Sequence, residues 1–122
     1  MRSKRHSGPA LPAFLAAALL ALACAPAAST PLFLSPAEQG PWLASDKELH
    51  FAGSLAIAAS LRVEGQSRRT AVGATFGVGL LKEAYDVALK PRRKGRGASW
   101  KDLAADLAGA IAGVAIVSAL DR

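Results

Sequence analysis

Cysteine, aromatic residues and long uncharged runs are all scarce in this chain of 122 residues. Cys24 is the single cysteine, so no internal disulfide can form. The aromatic residues are two Trp, one Tyr and four Phe, and none is interleaved with basic residues as a base-stacking surface requires. The net charge of +6 falls to +3 without Arg2, Lys4 and Arg5, because twelve basic and nine acidic residues remain. We therefore do not expect a nucleic-acid-binding protein.

No uncharged run beyond the N-terminus is long enough to span a bilayer. The longest runs cover residues 50–61, 71–81 and 107–120, which are 12, 11 and 14 residues, whereas a transmembrane helix needs ~20. The alternation of apolar and polar residues that marks a half-buried strand is also lacking. We expect one small all-α domain with a core of small side chains, lying at or near a membrane. A shallow or tilted insertion is the alternative.

The first 23 residues have the order of a secretory signal peptide. A basic start precedes an apolar stretch of 14 residues, 10–23, and then small residues. Two A-x-A sites, 21–23 and 25–27, fit an ordinary signal peptidase. The alternative, residues 20–24, resembles a bacterial lipobox ending at Cys24, with Ala21 in place of the usual leucine. We favour the lipobox, because lipidation explains an odd cysteine in an exported protein. The protein is then expected in the periplasm, anchored to a membrane by lipid.

Residues 24–44 are predicted to form a Pro-rich tether and residues 45–122 a three-helix domain. A proline every five residues, from Pro26 to Pro41, prevents a long helix in the tether. Ser45 with Glu48 is predicted to be the capping box of a first helix, which ends before Gly65. A second helix should run from residues 67–70 to residues 89–90, and a third from residue 100 to about residue 120. Short loops between the helices favour an up-down-up bundle.

Glycines inside the predicted helices indicate close packing. Gly73 with Gly77, and Gly109 with Gly113, are small residues at spacing four, which lets helix backbones approach closely. Gly53 lies inside the first helix in the same way. Each interior glycine costs a helix ~1 kcal/mol, so we expect all five to have a packing role.

Charged residues are predicted to converge at one end of the bundle. On a helical wheel, Asp46 and His50 share a stripe with Gly53 and Ile57. The charged residues of the second and third helices continue seams of Thr75 and Gly79, and of Gly109, Gly113 and Leu120. These sets lie at the start of the first helix, the end of the second and the start of the third, which an up-down-up bundle brings to the same end. The members are Asp46, His50, Glu83, Asp86, Asp102 and Asp106, with Lys47 and Lys82 beside them and the basic loop 90–96 overhanging.

Three interpretations of this set stay open. A buried network of ion pairs would fix the register of the helices. Alternatively, a divalent metal or another ligand would be held by His50, Glu83, Asp86, Asp102 and Asp106, although Lys82 can neutralise a carboxylate instead. The third interpretation is acid–base catalysis, with His50 paired to Asp46 or Asp86. No nucleophile is marked, because Ser99 matches a helix cap and Cys24 lies outside the domain.

The motifs of the three helices resemble those of a known family. The runs DKELHFAGSLAIAASL, GVGLLKEAYD and SWKDLAADLAGAIAG, within residues 45–115, resemble the YfiM-like family of predicted bacterial periplasmic lipoproteins. The looser likeness is to VanZ-like membrane proteins, which share the Asp-Lys-x-x-His helix start. The resemblance implies an envelope protein, and it supplies no reaction. The function we expect is structural or interactive, with an envelope protein as a candidate partner besides the membrane; a small metal-binding or hydrolytic enzyme is the alternative.

Overall fold

The computed structural model of the protein describes residues 32–91 and 94–121. These residues form three helices, α1 (Ser45–Val63), α2 (Arg68–Ala88) and α3 (Trp100–Leu120). Within the described ranges the only β-type pairing is an isolated parallel bridge between Phe33 and Ala98, so the predicted all-α class is confirmed. The predicted signal peptide (residues 1–23), Cys24 and the first part of the tether lie outside the described residues.

Two of the three helices begin after a serine N-cap. Ser67 and Ser99 precede α2 and α3, and each hydroxyl accepts a hydrogen bond from the backbone N–H three residues later. The predicted capping box at Ser45 is wrong. Ser45 already belongs to the first turn of α1, and the residue before the helix is Ala44, which has no side-chain cap. Backbone N–H groups of the first turn donate to the Ala44 carbonyl instead.

A tight turn after α1 makes α2 run back along it. Gly65 has φ +86°, a left-handed conformation that glycine adopts at little steric cost. Its N–H donates to the Arg62 carbonyl at 3.0 Å, and the N–H of Gln66 donates to the Leu61 carbonyl at 2.9 Å. This pair of bonds is a Schellman motif, which closes the C-terminus of the helix. The predicted stop at Gly65 is therefore confirmed.

The closest helix contact joins α1 to α3. A Cβ added at Gly109 would overlap the carbonyl oxygen of Phe51, and one added at Gly113 would overlap that of Leu55. The packing role predicted for these two glycines is confirmed. The predicted packing role is wrong for Gly53 and Gly77, because an added Cβ at either position would meet nothing within 4 Å.

The core is built of small side chains, as expected. Its central cluster consists of Ala58 of α1, Ala71 of α2, and Ala110 with Val114 of α3. Such a core buries little apolar area per residue, and the helices keep large apolar side chains at the surface. In the described part of the chain, α3 is long and apolar enough to cross a membrane by length and composition, with a mean hydropathy of 2.0 over its most apolar window, of which 39% is buried.

Residues 32–44, assigned to the tether from the sequence, lie against the charged end of the bundle. The Leu34 N–H donates to the Ala98 carbonyl, and the Ala98 N–H donates to the Leu32 carbonyl, both at 2.9 Å. Gln39 is buried, and its side chain donates to the Leu34 carbonyl at 2.7 Å and accepts from the Lys101 N–H at 3.1 Å. The proline spacing rules out a helix here, but it does not keep the segment away from the domain.

Candidate functional site

The charged side chains converge where the sequence predicts. The starts of α1 and α3 and the end of α2 meet, and eight side chains form what we call the ionic cluster. Its members are Asp46, Lys47, His50, Lys82, Glu83, Asp86, Asp102 and Asp106. This meeting of helix ends confirms the up-down-up arrangement.

Asp102 of α3 is the centre of the ionic cluster. Its Oδ1 lies 3.1 Å from Lys47 Nζ, and its Oδ2 lies 3.3 Å from Lys82 Nζ and 3.4 Å from His50 Nε2. Burial works against a charged carboxyl here. The hydrogen bond from Lys47 and the positive charges of His50 and Lys82 outweigh burial, so the pKa of Asp102 lies below its ordinary value of 3.8.

Lys47 is the buried cation of α1. Its side chain is 4% exposed, and its ammonium donates to the Gln39 carbonyl and to Asp46 Oδ2 at 2.6 Å and forms an ion pair with Asp102 Oδ1 at 3.1 Å. Burial alone would lower the pKa of Lys47, but its carboxylate partners raise that pKa above 10.5. The predicted stripe of α1 is therefore wrong by one position. Lys47, Ser54 and Ala58 are the buried residues, whereas the side chain of Asp46 is 54% exposed and Ile57 is exposed.

Lys82 of α2 joins three carboxylates. Its Nζ lies 2.8 Å from Glu83 Oε1, 2.8 Å from Asp86 Oδ2 and 3.3 Å from Asp102. Burial acts to lower the pKa of Lys82, and hydrogen bonds to Asp86 and Glu83 reverse the effect and raise it. Lys90 approaches Asp86 at 3.7 Å from the other side. Glu83, Asp86 and Asp102 therefore each have an ammonium neighbour.

His50 lies between two aspartates of α3. Its Nδ1 is 3.0 Å from Asp106 Oδ1, and its Nε2 faces Asp102. The predicted catalytic pairing of His50 with Asp46 or Asp86 is wrong, because Asp46 pairs with Lys47 and Asp86 with Lys82. A histidine held by a carboxylate at Nδ1 leaves Nε2 as the nitrogen able to bind a ligand or move a proton.

Among the described residues, one group of three has the spacing of a metal site. Ligand atoms of His50, Glu83 and Asp102 all lie within 4.8 Å of one another. The other two predicted ligands, Asp86 and Asp106, fall outside this group. Imidazole nitrogen and carboxylate oxygen are ligands that zinc accepts. However, the Lys82 ammonium contacts both carboxylates of the group and supplies the positive charge that a metal would bring.

The sequence did not reveal two residues that shape this site, Gln39 and Ser54. Gln39 links the segment before α1 to Lys47 and to α3. Ser54 donates to Asp106 Oδ1 at 2.8 Å; its place one turn after His50 is a signal that could have identified it. Gly79, which the helical wheel placed on the seam of the second helix, leaves room for Asp106, because an added Cβ would overlap Asp106 Oδ2. For Gln39 we find no sequence signal.

A cavity of about 500 Å³ opens above the ionic cluster. The loop between α2 and α3 contributes Lys90, Lys94 and Gly97 to its rim, and Leu34 closes one side. The loop therefore lies over the charged end, as predicted. Four lysines and four carboxylates line the cavity together with Leu34 and Leu49, so it offers groups of both charges to a ligand.

Comparisons with models of protein families, with curated proteins and with solved structures found no match to the chain. The likeness to YfiM-like and VanZ-like proteins stays a prediction from the motifs.

Proposed function

We propose that the chain is an exported lipoprotein of the bacterial cell envelope, with a structural or interaction role at a membrane. The observation that supports this proposal is the surface of α3. The likeness of the chain's motifs to those of YfiM-like proteins also supports a location in the cell envelope.

Helix α3 is apolar on several faces, yet much of it is uncovered. Ile111 is 54% exposed, Ile116 50% and Leu120 80%. A helix that is apolar all round normally belongs to the core of a large protein or to a membrane. With only two neighbouring helices in the described structure, the exposed side chains of α3 are available to lipid or to an envelope protein. The core helix of a soluble protein meets the same hydropathy criterion, but it is more completely buried.

The ionic cluster has a structural role in this proposal. Its lysines and carboxylates come from all three helices and pair across them, so a shift of one helix by one turn would leave buried charges without partners. Breaking such a pair is strongly destabilising even where the intact pair adds little net stability. The cluster would thus fix one arrangement in a bundle whose alanine-rich core allows several.

The experiment that tests export and anchoring is the intact mass of the mature chain, purified from a bacterial envelope. We expect the chain to begin at Cys24 and to carry the mass of a lipid. A Cys24→Ser variant should lose that mass, because the chain has no other cysteine that could carry the lipid.

Two masses would contradict the proposal. An unlipidated chain that begins after residue 23 or residue 27 would refute the lipid anchor. A chain that still begins at Met1 would refute export.

A small metal-binding or acid–base hydrolytic enzyme is the second candidate. The observation that favours it is the geometry of His50, whose Nδ1 is held by Asp106 while Nε2 faces Asp102, in a group with Glu83 whose ligand atoms lie within 4.8 Å of one another. Metal-ligating histidines are commonly oriented by a carboxylate in this way. Metal analysis of protein refolded with zinc, manganese or iron tests this candidate. Less than about one ion per ten chains would remove its metal-binding form.

A further inference from the structure

A second cavity, of about 260 Å³, lies between α1 and α2. Its walls are largely apolar, with Leu49 and Ile57 on α1 and Val78 on α2. We call this cavity the α1/α2 groove. The one carboxylate that lines it belongs to Asp106 of α3, whose Oδ2 lies against Gly79, in the place that a Cβ of residue 79 would take.

One oxygen of Asp106 lacks a partner. The side chain is only 4% exposed, and Oδ1 interacts with both His50 and Ser54. Oδ2 is buried and has no hydrogen-bond partner among the described residues. Buried polar atoms in native proteins nearly always have a partner, since leaving one unpaired costs about 1–3 kcal/mol. A donor from outside the described chain would satisfy this oxygen.

The surrounding charges favour a cation as that donor. Five carboxylates of the ionic cluster face three lysine ammonium groups and one imidazole, so the carboxylates outnumber the basic groups by one. Lys82 also lines the groove, but its ammonium is bonded to Glu83 and Asp86. His50 uses its Nδ1 on the other oxygen of Asp106. Neither basic side chain therefore satisfies Asp106 Oδ2.

We propose that the α1/α2 groove binds a primary ammonium group carried on an apolar carbon chain. The ammonium donates to Asp106 Oδ2, and the carbon chain lies along Ile57 and Val78. A metal ion fits this place poorly, because a single carboxylate oxygen among apolar walls offers too few ligands. The ammonium could belong to a free amine or to the ethanolamine headgroup of a lipid. This site does not depend on the lipid anchor proposed at Cys24.

The first test compares two probes of nearly equal shape on the mature chain. In an NMR titration, n-pentylammonium should cause saturable shifts of the Gly79 amide signal, and 1-pentanol should bind at least about tenfold more weakly, because a charge-assisted hydrogen bond is lost. Equal binding of the two probes, or no saturable shift with the ammonium, would overturn the proposal.

A pair of glycine variants tests the location. An added Cβ meets nothing within 4 Å at either Gly53 or Gly77, and leucine has a higher helix propensity than glycine at both positions. Only Gly53 lines the groove. We expect Gly53→Leu to weaken binding of n-pentylammonium at least about tenfold, and Gly77→Leu to leave it within about twofold. The same affinity in both variants would overturn the assignment to the groove.

Vesicles then separate the two sources of the ammonium. Phosphatidylethanolamine carries a primary ammonium, whereas the quaternary ammonium of phosphatidylcholine has no N–H to donate. Tighter binding to vesicles that contain phosphatidylethanolamine, abolished by Gly53→Leu, would support the site with a lipid headgroup as its ligand. Equal binding to both vesicles, with n-pentylammonium still bound in solution, would support it with a free amine.

Discussion

Removal of the charge of Asp102 is the sharpest perturbation of the ionic cluster. Asp102→Asn keeps the shape of the side chain, but it deprives two ammonium groups and one imidazole of their common carboxylate partner. The loss of stabilisation is largest for Lys47. Its side chain is 4% exposed and that of Asp102 is 7% exposed, so water cannot replace the lost carboxylate. Breaking a buried pair in this way costs about 3–5 kcal/mol. A unit of this size has a total stability of about 5–10 kcal/mol, so the variant should be close to unfolding.

The assay is urea denaturation followed by circular dichroism, carried out as a double-mutant cycle. Lys47→Met removes the buried ammonium and keeps an apolar stem of similar length. We expect each single variant to be strongly destabilised and the double variant to recover about 1–3 kcal/mol relative to the sum of the two. Recovery shows that the cost lies in the stranded charge and not in disturbed packing.

Asp121→Asn serves as the control. Asp121 also pairs with a basic residue, Arg62, but at 3.8 Å and with a side chain that is 62% exposed. Exposed pairs of this kind contribute about 0–1 kcal/mol, so the control should stay near the wild-type stability. A loss below about 1 kcal/mol for Asp102→Asn, or strict additivity with Lys47→Met, would refute the reasoning.

Three further predictions follow from the same contacts. Gly109→Ala should destabilise the bundle by about 1–3 kcal/mol in urea denaturation, because its Cβ would force α1 and α3 apart, whereas Gly53→Ala should stabilise it by about 0.5–1 kcal/mol. In thermal melts, stability should fall as the pH drops below 3.8, because the lowered pKa of Asp102 gives stability that is lost when the folded carboxylate is protonated. Stability should fall again well above pH 10.5, where Lys82 with its raised pKa loses its proton. Gln39→Ala should speed amide hydrogen exchange at residues 34 and 98, where the segment before α1 is attached, and leave α2 unchanged.

Much of the architecture could be predicted because it depends on local signals. Ser67, Ser99 and Gly65 mark helix limits through bonds to residues within one turn, and short loops make neighbouring helices antiparallel. Once the topology is known, the ends of the helices that meet are known as well. The convergence of the charged residues could therefore be predicted without knowledge of any tertiary contact.

The buried side of α1 could not be predicted in the same way. Alanine, glycine and serine occur on all sides of the helix, so its apolar stripe is weak and a wheel can be rotated by one residue without contradiction. A buried Lys47 is also against the general preference of lysine for solvent. Its burial depends on Asp102, which is distant in sequence and comes from α3. The docking of Gln39 likewise depends on partners that only the folded bundle brings together.

Anomalous diffraction from crystals of the mature chain, grown with excess manganese, tests most directly whether the ionic cluster is a network of ion pairs. We expect no anomalous peak among Glu83, Asp86 and Asp102, with the Lys82 ammonium in contact with all three as in the structure. A manganese peak bonded to His50, Glu83 and Asp102, with Lys82 turned to solvent, would contradict the network and establish a metal centre.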